Sequence, residues 1–232
     1  MRQLLPTLVD PVDPTVVYGD LPAAVGRPAV RLNMIASVDG ATTVGGVSGG
    51  LGGPADQALF TVLRSLADGV LVAAGTVRAE GYRPSRTPIA VVSRRPRLDW
   101  EAPFFTAPIA RPILITVTQA PADQLARAAE VADVVVAGDR DVDLTVALTA
   151  LAERGWRALL AEGGPTLNAQ LAGAGLLDEL CLTLSPRLAG AGAKRLLDGP
   201  ALAEGAGLRL CSACEQDDFL FLRYRPANRA TT

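Results

Sequence analysis

Three short segments of this chain carry residues that can do chemistry, and each follows an apolar run. The first is Ser37-Val38-Asp39-Gly40, continued by a glycine-rich loop that ends at Gly53. An aspartate held at a strand end can be partly desolvated, which raises its pKa and suits it to donate a proton. The plainer alternative is an Asp-Gly turn. The second segment is Ala74-Gly75-Thr76-Val77-Arg78-Ala79-Glu80, with Arg83 and Arg86 just beyond it. Gly75 and Thr76 can offer amides and a hydroxyl to a phosphate. They fit a simple turn beside exposed arginines equally well. The third is Glu162-Gly163-Gly164-Pro165-Thr166-Leu167. Paired glycines let backbone amides approach a ligand closely, and Pro165 fits the first turn of a helix whose N-terminus favours an anion. Its alternative is a glycine-terminated connection between strand and helix. A smaller signal, Ser93-Arg94-Arg95, can grip a ribose 2′-phosphate and so favour NADPH over NADH, or stand as ordinary surface charge.

Composition narrows the chemistry further. The 232 residues include no histidine, so a Ser-His-Asp or Cys-His nucleophile and any zinc site that relies on histidine are excluded. Cys211 and Cys214 form a C-x-x-C pair with no second pair to complete a metal site, which leaves structural cysteines and no expected metal. Lys194 is the sole lysine, so a phosphate clamp must be built from arginine, hydroxyls and backbone amides. A formal net charge of −2 gives no basic footprint for nucleic acid. No apolar run approaches the ~20 residues of a membrane span, and the proline- and aspartate-broken N-terminus lacks the apolar stretch of a signal peptide. A cytoplasmic protein is the expectation.

The elements that must position these segments alternate. After an irregular, proline-rich arm over residues 1–28, strands are expected at Val30 to Ser37, Gly69 to Ala74, Ile89 to Ser93, Ile113 to Thr118, Asp133 to Ala137 and Trp156 to Ala161. Helices are expected near Pro54 to Asp68, Ala122 to Val131, Asp141 to Arg154 and Pro165 to Ala174. Glu179 to Leu184, Leu208 to Cys211 and Phe219 to Tyr224 close the chain as three strands. Such alternation predicts one α/β domain over residues 29–232, with a mixed, mostly parallel sheet flanked by helices and an antiparallel edge at its end. Gly50-x-Gly52-x-x-Ala55 matches a loose dinucleotide fingerprint, but a glycine-rich loop stands where that fingerprint needs a strand.

Taken together, SVDG, then VLRSLADGVLVAAGTVRAEGY, then LLAEGGPTLNAQLAGAGLLDELCLTLSPRLAG resemble the reductase domain of bacterial riboflavin-biosynthesis deaminase-reductases. The resemblance implies a dihydrofolate-reductase-like fold and NADPH-dependent reduction of a ribosylaminopyrimidine 5′-phosphate to its ribitylamino form. It implies that Thr76 and Glu80 contact the cofactor, beside the Gly75 amide read from the pattern, and that Gly163, Gly164, Pro165 and Thr166, with the helix start at Leu167, hold its diphosphate. Ile35 and Ala36 would pass their backbone beside the nicotinamide; the ribose-phosphate reading of Ser93 and Arg94 rests on their residue types. Ser48, Arg64, Arg83 and Arg86 fall on the substrate side, Glu162 matches a substrate-contacting glutamate, and Asp39 sits at the family's acidic position. A homodimer is implied as well. The deaminase half needs H-x-E and P-C-x-x-C signatures that this chain lacks, so at most the reductive step is expected. Two alternatives stay open, a reductase of another heterocycle such as a dihydropteridine, and a non-catalytic nucleotide-binding homologue.

Overall fold

The structure is a computed structural model and describes residues 1–190, 192, 194–202 and 205–227. Among these, ten strands form one sheet: β1 (Arg2–Leu5), β2 (Ala29–Ser37), β3 (Gly69–Ala73), β4 (Ile89–Val92), β5 (Ile113–Thr116), β6 (Asp133–Val136), β7 (Ala158–Ala161), β8 (Glu179–Ser185), β9 (Leu208–Gln216) and β10 (Phe219–Pro226). The order across the sheet is β1-β9-β10-β8-β2-β7-β3-β4-β5-β6. From β8 to β6 every pairing is parallel, and β8, β10, β9 and β1 pair antiparallel. The fold is the α/β class with a mixed sheet that the alternating pattern predicts.

Helices α1 (Pro14–Tyr18), α2 (Pro54–Ser65), α3 (Ala74–Glu80), α4 (Pro103–Thr106), α5 (Ala122–Val131), α6 (Leu144–Glu153) and α7 (Pro165–Gly173) cover the two faces. The period-two alternation of strands divides the core. On β3, Val70 and Val72 pack with Leu59 and Leu63 of α2 on one face, while Leu71 packs with Leu148 and Leu151 of α6 on the other. That is why the parallel strands read as continuous apolar runs.

Two expectations need correction. The first 28 residues are not an irregular arm, since β1 pairs with β9 and α1 buries Val17 and Tyr18 against the sheet. The anchors are charged. Glu179, fully buried, accepts Arg31 Nε at 2.6 Å, Arg223 Nε at 2.8 Å and Arg225 Nε at 3.0 Å. Arg31 donates onward to the carbonyl of Tyr18 at 2.6 Å, and Arg223 donates to the carbonyl of Val17 and to Asp20. Neighbouring Asp178 takes both Arg27 Nη atoms, at 2.7 and 3.1 Å, and the amide of Val30 at 2.7 Å. The Asp178-Glu179 pair therefore ties the N-terminal segment to the sheet. The second correction concerns Ala74–Glu80, where Ala74 is expected to end a strand and no helix is assigned from the sequence; it is a helix that ends on Gly81 at φ 62°. Residues 228–232, assigned to the domain from the sequence, lie outside the described residues.

Candidate active site

A cleft of about 1020 Å³ opens beyond the carboxyl ends of β2, β3, β4 and β7. This is where open parallel sheets leave a crevice for ligands. Ile35 enters it from β2, Thr76 and Glu80 from α3, Arg94 from the turn after β4, and Glu162 to Thr166 from the connection between β7 and α7.

One wall is backbone. Gly163 has φ 87°, a region that favours glycine, and its carbonyl accepts the amide of Ala73 at 2.7 Å. A Cβ on Gly164 would stand 2.9 Å from Thr76 Oγ1, so only glycine lets the two segments approach this closely. The Gly163–Gly164 peptide is cis. Gly164 caps α7 without a side chain and Pro165 opens its first turn, which leaves the helix amides facing the cleft.

Charged side chains line the cleft beside it. Arg64, near the end of α2, forks onto Glu162 with Nε–Oε1 and Nη2–Oε2 distances both 2.7 Å. Tyr82 donates its hydroxyl to Glu162 Oε2 at 2.5 Å. Burial first, and the neighbouring Glu162 second, push the Tyr82 pKa well above its usual value, so its proton stays on. The Arg64 guanidinium also lies 4.5 Å from the centre of the Phe60 ring and 5.6 Å from that of Tyr82. Glu162 thus presents a carboxylate whose position is fixed by three hydrogen bonds from two residues. Ser48 and Glu80 meet as well, the Ser48 amide donating to Glu80 Oε1 at 2.8 Å. That bond joins the glycine-rich loop to α3. Arg94 reaches the rim, held 2.5 Å from Asp141 in an exposed pair that a ligand can displace at little cost.

Of the expected site residues, Ile35, Ser48, Arg64, Gly75, Thr76, Glu80, Arg83, Arg94, Glu162, Gly163, Gly164, Pro165 and Thr166 line the cleft. Ala36 and Leu167 are buried in the core beside it, Ser93 spends its amide on the carbonyl of Ile115, and Arg86 lies outside. Asp39 does not line the cleft. It is exposed and accepts hydrogen bonds from Ser37 Oγ, from the Ala189 amide at 3.1 Å and from the Gly190 amide at 2.8 Å. The Ser37 hydroxyl first, then the two amides, hold its pKa down to about 2. Both observations stand against a raised pKa and a proton-donating role for Asp39, which pins the loop after β2 to the segment after β8.

Sequence reasoning missed Asp56, Phe60 and Tyr82, all of which line the cleft. A signal for two of them existed. Asp56, Phe60 and Arg64 recur at intervals of four along α2, one face, beside the buried stripe of Ala55, Leu59 and Leu63. Asp56 accepts the hydroxyl of buried Thr183 on β8, while burial raises its carboxyl above the usual range. Lys194 also reaches the cleft, its own carbonyl taking the Thr42 amide at 3.1 Å.

Fold and cleft together define an α/β protein with a glycine-walled crevice at the ends of its parallel strands. Residues 28–218 match the model of the RibD C-terminal domain, and the chain belongs to that family. It is 32% identical over 195 residues to the 2,5-diamino-6-ribosylamino-4(3H)-pyrimidinone 5′-phosphate reductase of Methanothermobacter thermautotrophicus, covering 78% of this chain and 88% of the relative. A pyrimidine reductase-like protein from Corynebacterium diphtheriae superposes with a TM-score of 0.80 at 26% identity, covering 93% of this chain and 98% of the other. Dihydrofolate reductase from Enterococcus faecalis superposes with a TM-score of 0.54 at 11% identity, over 89% of this chain and all of the other, which places the fold among the dihydrofolate-reductase-like ones. The chain is therefore an enzyme of a reductase family.

Proposed function

We propose that this protein reduces a ribosylaminopyrimidine 5′-phosphate to the ribitylamino compound with NADPH, as a step of riboflavin biosynthesis. The observation that carries the reading is the juxtaposition, in one cleft, of the Gly163-Gly164 and Thr76 wall with the Arg64-fixed carboxylate of Glu162. The relative from Methanothermobacter, named for this type of reduction, supports it.

The residues present fit a dinucleotide phosphate. Gly164 leaves no room for a Cβ beside Thr76 and Gly163 takes a φ that favours glycine, the α7 amides add positive dipole, and Thr76 adds a hydroxyl. Arg94 at the rim is placed for a ribose 2′-phosphate. When bound, NADPH supplies a hydride, which goes to C1′ of the ribose in its ring-opened form. The protein's part is orientation and exclusion of water. Glu162, immobilised by Arg64 and Tyr82, would hold the sugar or its amine nitrogen so that C1′ faces the hydride donor, and Arg83 at the cleft wall is available for the 5′-phosphate. The proton that accompanies the hydride comes from within the cleft or from water, since Asp39 lies outside.

A cytoplasmic homodimer belongs to the same reading. Exposed Leu208, Leu210 and Leu220, with Leu4 and Leu5 of edge strand β1, leave apolar surface on the antiparallel end of the sheet. No helix of the described residues is long and apolar enough to cross a membrane.

The reading is tested by following the loss of reduced nicotinamide with the ribosylaminopyrimidine phosphate and, separately, with dihydrofolate. A clear preference for the pyrimidine is expected. Preference for dihydrofolate, or cofactor binding with no turnover on either, overturns it.

A further inference from the structure

The chain uses arginine at all but one of its 22 basic positions, and the exception, Lys194, lines the cleft. Its backbone is tied in place on both sides. The carbonyl of Lys194 accepts the amide of Thr42 at 3.1 Å and the Thr42 hydroxyl at 2.9 Å. Two residues on, the carbonyl of Leu196 accepts Nδ2 of Asn168 at 3.0 Å, and Asn168 is fully buried in α7. The Asp198 amide then donates to the carbonyl of Pro165 at 3.1 Å. Ahead of Lys194, Asp39 accepts the amides of Ala189 and Gly190. The chain after β8 is thus bonded to the loop after β2 and to α7. A buried amide committed to a distant carbonyl is costly to unpair, so the segment that carries Lys194 is held.

Its side chain, by contrast, is uncommitted. The carboxylates of the cleft are engaged elsewhere, Glu162 with Arg64 and Tyr82, Glu80 with the Ser48 amide and Asp56 with Thr183. Most of its cations are engaged too. Arg64 forks onto Glu162, Arg94 pairs with Asp141, and Arg78 donates to the carbonyl of Arg97. Lys194 and Arg83 are the cleft cations whose side chains have no hydrogen-bond or ion-pair partner among the described residues. They come from different parts of the wall, Arg83 from the turn after α3 and Lys194 from the chain after β8. An ammonium group on a fixed backbone, inside a cleft and without a counter-charge, is set to meet an anion that a ligand brings.

The phosphates of the cofactor have other partners in this cleft, the α7 amides and Arg94. The anion left over is the 5′-phosphate of the sugar, which carries close to two negative charges at neutral pH. We propose that Lys194 is a substrate-binding residue that takes this phosphate, with Arg83 as the second cation, and that the Thr42 and Asn168 bonds position it. Thr43 and Ser48, on the same loop as Thr42, also line the cleft and carry hydroxyls for the remaining phosphate oxygens. A lysine suits the task because its ammonium is a compact charge with three donors that can turn to follow a tetrahedral group. The inference rests on the function proposed above for the identity of the phosphate. Its consequence is that the sugar must arrive phosphorylated, so a phosphorylated precursor feeds this step and the free nucleoside is a poor substrate.

Calorimetric titration of the NADPH-loaded protein with ribose 5-phosphate, and separately with ribose, reads this contact without turnover. The wild-type protein should bind the phosphate ester more tightly than ribose by about 10-fold or more. Lys194→Gln should weaken the ester by about 10- to 100-fold and leave ribose nearly unchanged, the loss that one charge-assisted contact implies. Lys194→Arg keeps the charge and should recover most of that affinity. NADPH affinity should stay near wild type in both variants. Lys194 is exposed, so neither exchange disturbs the core. No preference for the ester by the wild-type protein, or an unchanged ester affinity in Lys194→Gln, overturns the assignment and leaves the reductase reading intact. An equal loss of NADPH affinity also overturns it, by giving Lys194 to the cofactor. Loss of the ester in Lys194→Gln, with no turnover of any ribosylaminopyrimidine phosphate by the wild type, removes the functional reading and upholds Lys194 as a sugar-phosphate cation.

Discussion

At the residue scale, the account turns on which carboxylate does what. Glu162 is fixed by an arginine fork and a tyrosine hydroxyl and faces the space where a substrate would lie. Glu162→Gln keeps the shape but loses charge and the match to Arg64. Turnover should fall by roughly 100-fold or more with little change in NADPH affinity, as expected when a group acts on substrate and transition state. Steady-state kinetics beside a cofactor titration checks this, and an equal loss in both would contradict it. Asp39 behaves differently. Its folded pKa of about 2 lies below the unfolded value near 3.9, so its contribution to stability is complete above the unfolded value and is lost as pH falls through about 2. Asp39 therefore adds no limb to the rate profile between about pH 5 and pH 9. Asp39→Asn should leave the shape of that profile unchanged, and a vanished limb would restore it as a proton donor.

Elements, rather than single residues, build the cofactor wall, because α3 and the connection from β7 to α7 must touch. The contact of Thr76 with Gly164 makes this testable. Gly164→Ala places a methyl group 2.9 Å from Thr76 Oγ1 and should weaken NADPH binding by about 10-fold or more. Adding Thr76→Ala should recover part of that loss, a coupling that a double-mutant cycle measures. Additive losses would mean the two segments do not meet at the cofactor. Replacing Arg94 with alanine should weaken NADPH and leave NADH nearly unchanged. The glycine pair and the strand ends were legible in the sequence because apolar runs followed by glycine report directly on parallel strands and their turns. The roles were less so. Asp39 carries the same local signature whether it faces a cleft or caps a loop, and only the tertiary approach of Ala189 and Gly190 distinguishes the two. Asp56 and Phe60 escaped notice because the spacing that marks their face also runs along the buried stripe next to it. Helix α3 was missed because its sequence, with Gly75 and Thr76 in the first turn, has low helical propensity and is held by packing of Ala74 and Val77.

For the whole molecule, one buried charge cluster joins the N-terminal segment to the sheet. Glu179 takes three arginines, and all three also hold α1 or the residues just after it. No local pattern announces this, since its members are separated by 148 and 44 positions along the chain. Glu179→Ala would leave buried guanidinium groups without their counter-charge, and a loss of about 3–5 kcal/mol of stability is expected. Denaturant unfolding measures it, and hydrogen exchange should show residues 1–20 losing protection first. A loss below about 1 kcal/mol would mean the cluster is replaceable.

The central claim is that the cleft brings a reduced nicotinamide to the sugar carbon of a ribosylaminopyrimidine phosphate. The most direct measurement supplies NADPH with deuterium at the transferable position of its ring and examines the pyrimidine product by mass spectrometry and NMR. The account predicts one deuterium at C1′ of a ribityl chain, with one equivalent of cofactor oxidised. Cofactor oxidation that leaves the sugar unlabelled, or a label placed in the heterocyclic ring, would contradict it.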